Sequence, residues 1–559
     1  MVETLERQLD SDRSPSAVWT GGREMLRGRR LLVWSLIVVV YLVGVCPMWW
    51  STSDSALYLS LSHSLAEGRG FVYNGQAHTL VTPGLPLVLA GLERAFGSGY
   101  WAGNLFTVLC GLGAVAMVYL SVRRLGDDSI AFAVAVVTAL SYPFYSNSHR
   151  ILTQIPFALV FWGMFYACLR RREGNAWWLL LVGLLSLLSI VIRAPGLLLV
   201  GPLGVGLFFN GDRTGGARRL RWCGVVMLGP MFIIAGSMLV VSWISSGRLP
   251  GYLTYAFGVL GSGGVGGRIS AVGHAAALLP DVVTKLLVGQ RGLLPLGILA
   301  CGVIVAGMVY LWLGGRRYIV IFAVLSLGAY LMMGPDMIGT RYFLTLMPIY
   351  MYAMVQGLCL CVRCLCHRRQ RPCSGATYLR AVVIFVAVCV TCNVPKVLRD
   401  SVYYSYVAWT DPDNYYHVIR SEKYADFFAI ADALAAQAPP SEKVGGPKDG
   451  ERVIHHLTGR IVLPYTPGKQ ERHSAAEAER IINFVRSHPE VRYFVFDVRG
   501  RDKTSTSAFL GRLDAWLDAA LASGAFKSLY KGQHYAAYRR DGEARRRPLK
   551  TQASQPSGD

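Results

Sequence analysis

The sequence predicts a polytopic α-helical membrane protein of about eleven transmembrane helices, with interfacial helices in its first long loop and a small α/β soluble unit at its C-terminal end. Three observations carry that expectation. Of the 559 residues, 53% are hydrophobic and only 16% charged, where a soluble domain carries roughly a quarter. Apolar stretches of about 20 residues, long enough to cross a bilayer, fill the chain to about residue 397, where composition changes. Basic residues concentrate in alternate connecting segments. An ordinary soluble or disordered chain is excluded, and a net charge of +22 on so apolar a sequence points to a membrane and not to nucleic acid.

The elements follow in order. A polar tail (1–30), read as cytoplasmic, ends in "REMLRGRR" and leads into a first span, Leu31 to Pro47. No small-residue cleavage site follows it, which predicts a retained signal anchor. Further spans are expected near 102–122, 129–145, 151–169, 176–192, 195–210, 222–245, 292–313, 318–334, 342–362 and 381–397. With the N-terminus inside, the inner segments hold about 22 basic residues in about 75 positions and the outer ones about 9 in about 113. An odd number of spans then places the C-terminal residues outside, extracytoplasmic in an inner membrane if the source is bacterial. "PGLPLVLAGLERAFG" (83–97) is apolar for only about a dozen residues and carries Glu93 and Arg94, so an interfacial helix is expected within the first outside loop, about 48–101. The chain thus divides into a membrane region (31–397), an outer α/β unit (398–545) and a disordered tail (546–559).

In the outer unit, "KVGGP", "IVLPY" and "VRYFVFDV" read as short strands alternating with helices such as "EKYADFFAIADALAAQ". Residues from Arg399 onward carry only about +4, leaving about +18 on the membrane half. Acidic residues are scarce in that half. Beyond its N-terminal tail they are Asp54, Glu67, Glu93, Asp127, Asp128, Glu173, Asp212, Asp281 and Asp336, so any carboxylate chemistry there draws on this set. None of the 12 cysteines lies after Cys392, so the outer unit has no disulfide of its own.

Several patterns have plain readings. Cys361, Cys364, Cys366, His367 and Cys373 lack a second separated ligand pair, and read as reduced thiols of a basic inner loop. "GVLGSGGVGGRIS" (258–270) has no Gly-Lys-Ser/Thr ending and reads as a flexible outer loop. His455 and His456 fall on a helix without metal-ligand spacing.

The first outside loop holds the informative constellation. Its opening is helical, with Asp54, Tyr58 and Ser62 four residues apart on one side, and Asp54 or Ser53 is suited to cap that helix. An Asp directly after the first span, then Tyr58, "LAEGRG" and "TPGLPLVLAGLERAFG", resembles the first outer loop of GT-C glycosyltransferases that use polyprenyl-phosphate sugars, the protein O-mannosyltransferase-like and lipid A aminoarabinose transferase-like families among them. The resemblance continues through "RILTQIPFALVFWGMF", "VIRAPGLLL", "GTRYFLTLMPIY" and "LTGRIVLP", covering most of the chain in order. It implies an acidic active-site role for Asp54, donor-phosphate contact for Arg193, and the late "RY" element in Arg341 and Tyr342. Gln154 stands where relatives often carry a second carboxylate, and Thr82 where the aminoarabinose transferases have a Lys. The first departure weakens a divalent-cation site, and the second argues against that lipid A specificity.

The chemistry fits these residues. A polyprenyl phosphate is a good leaving group whose developing charge needs cations, and arginine suits phosphate best. An acceptor hydroxyl needs a carboxylate to take its proton. The expectation is a membrane glycosyltransferase acting on a lipid, glycan or other cell-envelope acceptor, protein included, with Tyr58, His78, Gln154 and Asp336 as further substrate-binding candidates. Each has a bland alternative: the arginines can anchor at an interface, and Gln154 can pair between helices. A transporter or flippase of lipid-linked sugar, and an inactive relative that only binds it, stand as the other classes.

Overall fold

The computed structural model describes residues 23–78, 81–170, 177–209, 221–229, 232, 233, 236, 264–333, 339–368, 375–412, 415, 416, 422–465, 475–497, 508–532 and 534–541. Helix α1 (Arg23–Val43) leads into a first loop that folds as α2 (Ser53–Ala66), the strands β1 (Val72–Tyr73) and β2 (Gln76–Ala77), and α3 (Gly84–Phe96). The bundle continues with α4 (Tyr100–Leu125), α5 (Asp128–Leu140), α6 (Tyr142–Ser148), α7 (Gln154–Leu169), α8 (Trp177–Ile192) and α9 (Leu197–Phe208). Then come α10 (Gly264–Ala277), α11 (Leu279–Val288), α12 (Leu294–Leu313), α13 (Arg317–Met332), α14 (Thr340–Phe343), α15 (Met347–Arg368) and α16 (Gly375–Leu398). Val115, Phe161, Trp162, Phe322 and Tyr352 belong to one continuous buried core, while Leu184, Leu299, Val305 and Ile384 face outward. An apolar exterior over an apolar core suits lipid as the surrounding solvent.

Eleven crossing-length helices are not found among the described residues. Among the described residues five helices are long and apolar enough to cross a bilayer, or six if α5 and α6 form one bent span. Helices α7, α8, α9 and α13 are apolar but shorter. The stretch expected at 129–145 is broken by a 63° bend. Ser141 is extended there and Pro143 opens α6, because proline lacks the N–H that would continue α5. Most of the stretch expected at 222–245 lies outside the described residues. The glycine-rich segment read as a loop is helical from Gly264, and residues Ile269–Val288 are apolar and long enough to span. Alanine, leucine and valine after residue 270 outweigh the glycines that suggested a loop.

The tail (546–559) and residues 1–22 lie outside the described residues. After a π-helical turn (Arg399–Tyr404) and α17 (Ser405–Thr410) come α18 (Glu422–Gln437), β3 (Val444–Pro447), α19 (Lys448–Thr458), β4 (Val462–Tyr465) and α20 (Ala475–Ser487). The last described elements are β5 (Tyr493–Asp497), α21 (Ala508–Ala522), β6 (Phe526–Lys531) and β7 (Tyr535–Arg540). The five strands form a sheet of order β4-β3-β5-β7-β6, parallel across β4, β3 and β5 and antiparallel from β5 to β7 and β6.

Successive residues of a strand face opposite sides, and both sides are covered here. Phe494, Phe496 and Tyr538 pack with α20 and α21, whereas Tyr493, Val495 and Tyr535 pack with α18 and α19. Trp49 and Ala56 of the first loop belong to that second core, so the first loop and the sheet share one hydrophobic interior. The "LTGR" element also has a structural role. Buried Arg460 donates to the carbonyls of Leu434, Ala438 and Pro439, satisfying the exposed C-terminal end of α18.

Candidate active site at the head of the first loop

Helix α2 starts with a capping box. The Thr52 hydroxyl accepts the Ser55 N–H at 3.1 Å and the Ser55 hydroxyl accepts the Thr52 N–H at 3.1 Å. Thr52, and not Asp54 or Ser53, is therefore the cap, which corrects the capping expectation. With the helix start already satisfied, the Asp54 carboxylate in the first turn is left for longer-range partners.

Those partners are two arginines. Arg341 Nη1 donates to Asp54 Oδ2 at 2.8 Å, and Arg452 Nη1 donates to Oδ1 at 2.8 Å. Arg341 Nη2 also donates to the Tyr342 hydroxyl at 2.8 Å. The Tyr342 ring lies 5.2 Å from the guanidinium carbon of Arg193. Asp54, Arg341, Tyr342 and Arg193, chosen from the sequence, thus form one contiguous group.

Arg193 follows the last turn of α8 and is only 7% exposed. Among the described residues no carboxylate pairs with it; its guanidinium faces the rings of Tyr342 and Phe157. Two glycines let the chain close around it. A Cβ on Gly84 would meet the Val191 carbonyl at 2.6 Å, and one on Gly196 would meet the Phe157 ring at 2.6 Å. The "PG" of the first loop is therefore where α3 packs directly on the backbone leading into Arg193. A buried guanidinium without a carboxylate is costly unless an anion joins it.

The remaining candidates are placed as follows. His78 sits just after β2, its ring edge against Phe71 and Tyr73; burial, aided by the charge of Arg452, pushes its pKa down to about 4, so the imidazole is neutral. Tyr58 is buried among Leu85, Leu89, Ile151 and Leu152, at the joint of α2 and α3 with the bundle. Gln154 is buried at the start of α7, and its Oε1 has no hydrogen-bond partner among the described residues. Asp281 closes its own loop by accepting the Gly292 N–H at 2.9 Å. Asp336 lies outside the described residues.

A divalent cation does not fit this donor set. Asp54 is flanked by guanidinium groups, and among the described residues no three His, Cys, Asp or Glu side chains converge as metal ligands.

Close to the same end of the bundle, an apolar cavity of about 170 Å³ opens among α11, α12, α13 and α15, lined by Leu279, Val283, Leu327, Phe343, Met347 and Met351. Phe343 is the residue after Tyr342, so a polar cluster and an apolar slot are neighbours.

Residues 80–241 match the sequence profile of the dolichyl-phosphate-mannose-protein mannosyltransferase family. ArnT from Cupriavidus metallidurans, solved bound to undecaprenyl phosphate, superposes with a TM-score of 0.54 at 15% identity over 91% of this chain and 98% of its own. Its apo form gives 0.56 at 16% identity over 92% and 98%. The oligosaccharyltransferase AglB from Archaeoglobus fulgidus, solved with an inhibitory peptide and a dolichol-phosphate, gives 0.52 at 12% identity over 90% and 73%. The chain has the GT-C fold. No curated protein matches it in sequence. The matched segment runs from the later part of the first loop past α9 and includes Arg193; Asp54, Arg341 and Tyr342 lie outside it.

Sequence reasoning missed Arg452. It sits 398 residues from Asp54 on an ordinary amphipathic helix. The only available cue was a basic residue in "ERVIHHLTGR", beside the segment that joins the family resemblance.

Proposed function

We propose that the protein is an integral-membrane glycosyltransferase that moves a sugar from a polyprenyl-phosphate donor to an acceptor hydroxyl at the outer face of the membrane. The acceptor is a lipid or another cell-envelope molecule. The observation that carries this reading is Arg193, a buried cation without a carboxylate among the described residues, one aromatic ring away from the Arg341–Asp54 pair. A phosphate bridging Arg193 and Arg341 would supply an anion that the described residues do not. The apolar slot beside Phe343 suits a prenyl chain attached to that phosphate.

The reaction follows from the residues. An oxygen lone pair of the acceptor forms a new bond to the anomeric carbon from the face opposite the phosphate. The bond from that carbon to the phosphate oxygen breaks, and its electron pair leaves on the phosphate. The arginines stabilise the growing charge, Asp54 takes the acceptor proton, and the anomeric centre inverts. Neutral His78 is able to donate to or accept from a sugar hydroxyl.

Incubating the purified protein in lipid vesicles with a radiolabelled polyprenyl-phosphate sugar and a cell-envelope extract tests the reading. Label appearing in a new product supports it. Label that crosses the bilayer unchanged, or binds without turnover, replaces it with the transporter or the inactive relative.

A further inference from the structure

Asp54 is held by two arginines that differ in kind. Arg341 lies on the four-residue helix α14, its side chain is 46% exposed, and it also reaches Tyr342 on the side of Arg193. Arg452 is 28% exposed and lies on α19, which is fixed to the first loop along one face.

That attachment is detailed. Glu451 accepts from the Tyr73 hydroxyl at 3.3 Å. The Asn74 side chain donates to the Val462 carbonyl at 2.7 Å and accepts the Val462 N–H at 2.8 Å, pairing with edge strand β4 as another strand would. His455 Nδ1 lies 2.6 Å from the Arg460 carbonyl and so carries its proton, leaving Nε2 to accept the Asn74 N–H at 3.3 Å. The His456 ring meets Trp49 edge-on at 4.9 Å and its Nε2 lies 3.3 Å from the Tyr100 hydroxyl. Arg452 is therefore carried on a docked helix, whereas Arg341 reaches past Asp54 to the Tyr342 hydroxyl on the side of buried Arg193.

We propose that Arg452 is a positioning residue that anchors Oδ1 of Asp54, while a donor phosphate draws Arg341 off Oδ2 and thereby bares that oxygen for the acceptor hydroxyl. This rests on the glycosyltransferase reading and deepens it. It assigns the two carboxylate oxygens different tasks: Oδ1 is held, Oδ2 works. It also makes donor binding precede productive acceptor binding, since Oδ2 is occupied until the phosphate arrives. Helix α19 becomes part of the site, although it lies outside the segment that matches the family profile.

Steady-state kinetics of Arg452→Gln and Arg341→Gln, with a polyprenyl-phosphate sugar donor, separate the two roles. The expected result for R452Q is a kcat lower by about 10–100-fold with donor KM within about threefold of the parent, and partial recovery in R452K. For R341Q the donor KM rises by about tenfold or more. R452Q with an unchanged kcat, or with a donor KM that rises as in R341Q, overturns the assignment. Tm values of Asp54→Asn, Arg452→Gln and the double variant test the contact without turnover. Non-additive shifts support the anchor, and additive ones overturn it. If the parent protein turns over no donor while the Tm shifts are non-additive, the proposed reaction fails and the Asp54–Arg452 anchor stands.

Discussion

Two aspartates at opposite ends of the helical bundle are each gripped by two arginines, and the two sets of partners differ in origin. Asp128 opens α5 and is bound by Arg30, by Arg123 at 3.2 Å and by the Tyr119 hydroxyl at 2.6 Å. Asp54 opens α2 and is bound by Arg341 and Arg452. Exposure does not separate them, at 38% and 33% of the side chain. Origin does. Tyr119, Arg123 and Asp128 belong to one helical hairpin, and only Arg30 comes from elsewhere, so the cluster staples three neighbouring helix ends together. The partners of Asp54 come from 287 and 398 residues away, and one of them borders a buried cation that lacks a carboxylate among the described residues. A carboxylate saturated by local partners is a joint; one held by remote groups with another anion site beside them is a candidate for chemistry.

A series of variants separates the two aspartates. Asp54→Asn keeps the shape but removes the proton acceptor, and transfer should fall by about 10²–10⁴-fold with membrane insertion intact, read by labelled-sugar turnover. Full activity in this variant would make Asp54 another joint. Arg193→Gln removes the buried cation; donor KM should rise by about 30-fold or more, measured by varying donor at saturating acceptor. Gly84→Ala forces a methyl group against the Val191 carbonyl. It should cost about 1–3 kcal/mol of stability, seen as a lower Tm, and raise donor KM by displacing Arg193.

Acid should act next. Burial pushes His456 down to about 3 and, with the charge of Arg452, His78 down to about 4. Both are neutral when folded, against about 6.5 when unfolded. Their contribution is complete above pH 6.5 and declines as pH falls toward 4, by up to about 1 kcal/mol per pH unit for each group. Limited proteolysis at pH 7 and pH 4.5 should show α19 loosening from the first loop in acid. The smallest effect is expected of Asp128→Asn: roughly 1 kcal/mol or less in stability, and a transfer rate within about twofold of the parent.

Local chemistry was legible in the sequence, and distant pairing was not. Asp54 stands out because acid is rare in the membrane half, Arg193 and Arg341 because each sits at a predicted span end, and all three, with Tyr342, because they match the family resemblance. The segment "VRYFVFDV" reads directly as a strand, β5, whose two faces are both covered in the structure. Arg452 was hidden because nothing in its own helix reports a partner on the other side of the fold. The bend at Ser141 was missed because hydropathy averages across Pro143, and the helices after Gly264 because glycine was weighed above the alanines and leucines around it. The capping error had the same origin: Thr52, Ser53 and Asp54 are all good caps, and only the reciprocal bond with Ser55 decides among them.

The Asp54 end of the bundle, and not the Asp128 end, is the end proposed to receive a lipid-linked phosphate. A structure of the protein with bound polyprenyl phosphate tests it most directly. The account predicts phosphate oxygens about 3 Å from the guanidinium groups of Arg193 and Arg341, with Arg341 withdrawn from Asp54 and the prenyl chain running past Phe343. A phosphate bound elsewhere, with Arg341 still on Asp54 and Arg193 still without an anion, would contradict it.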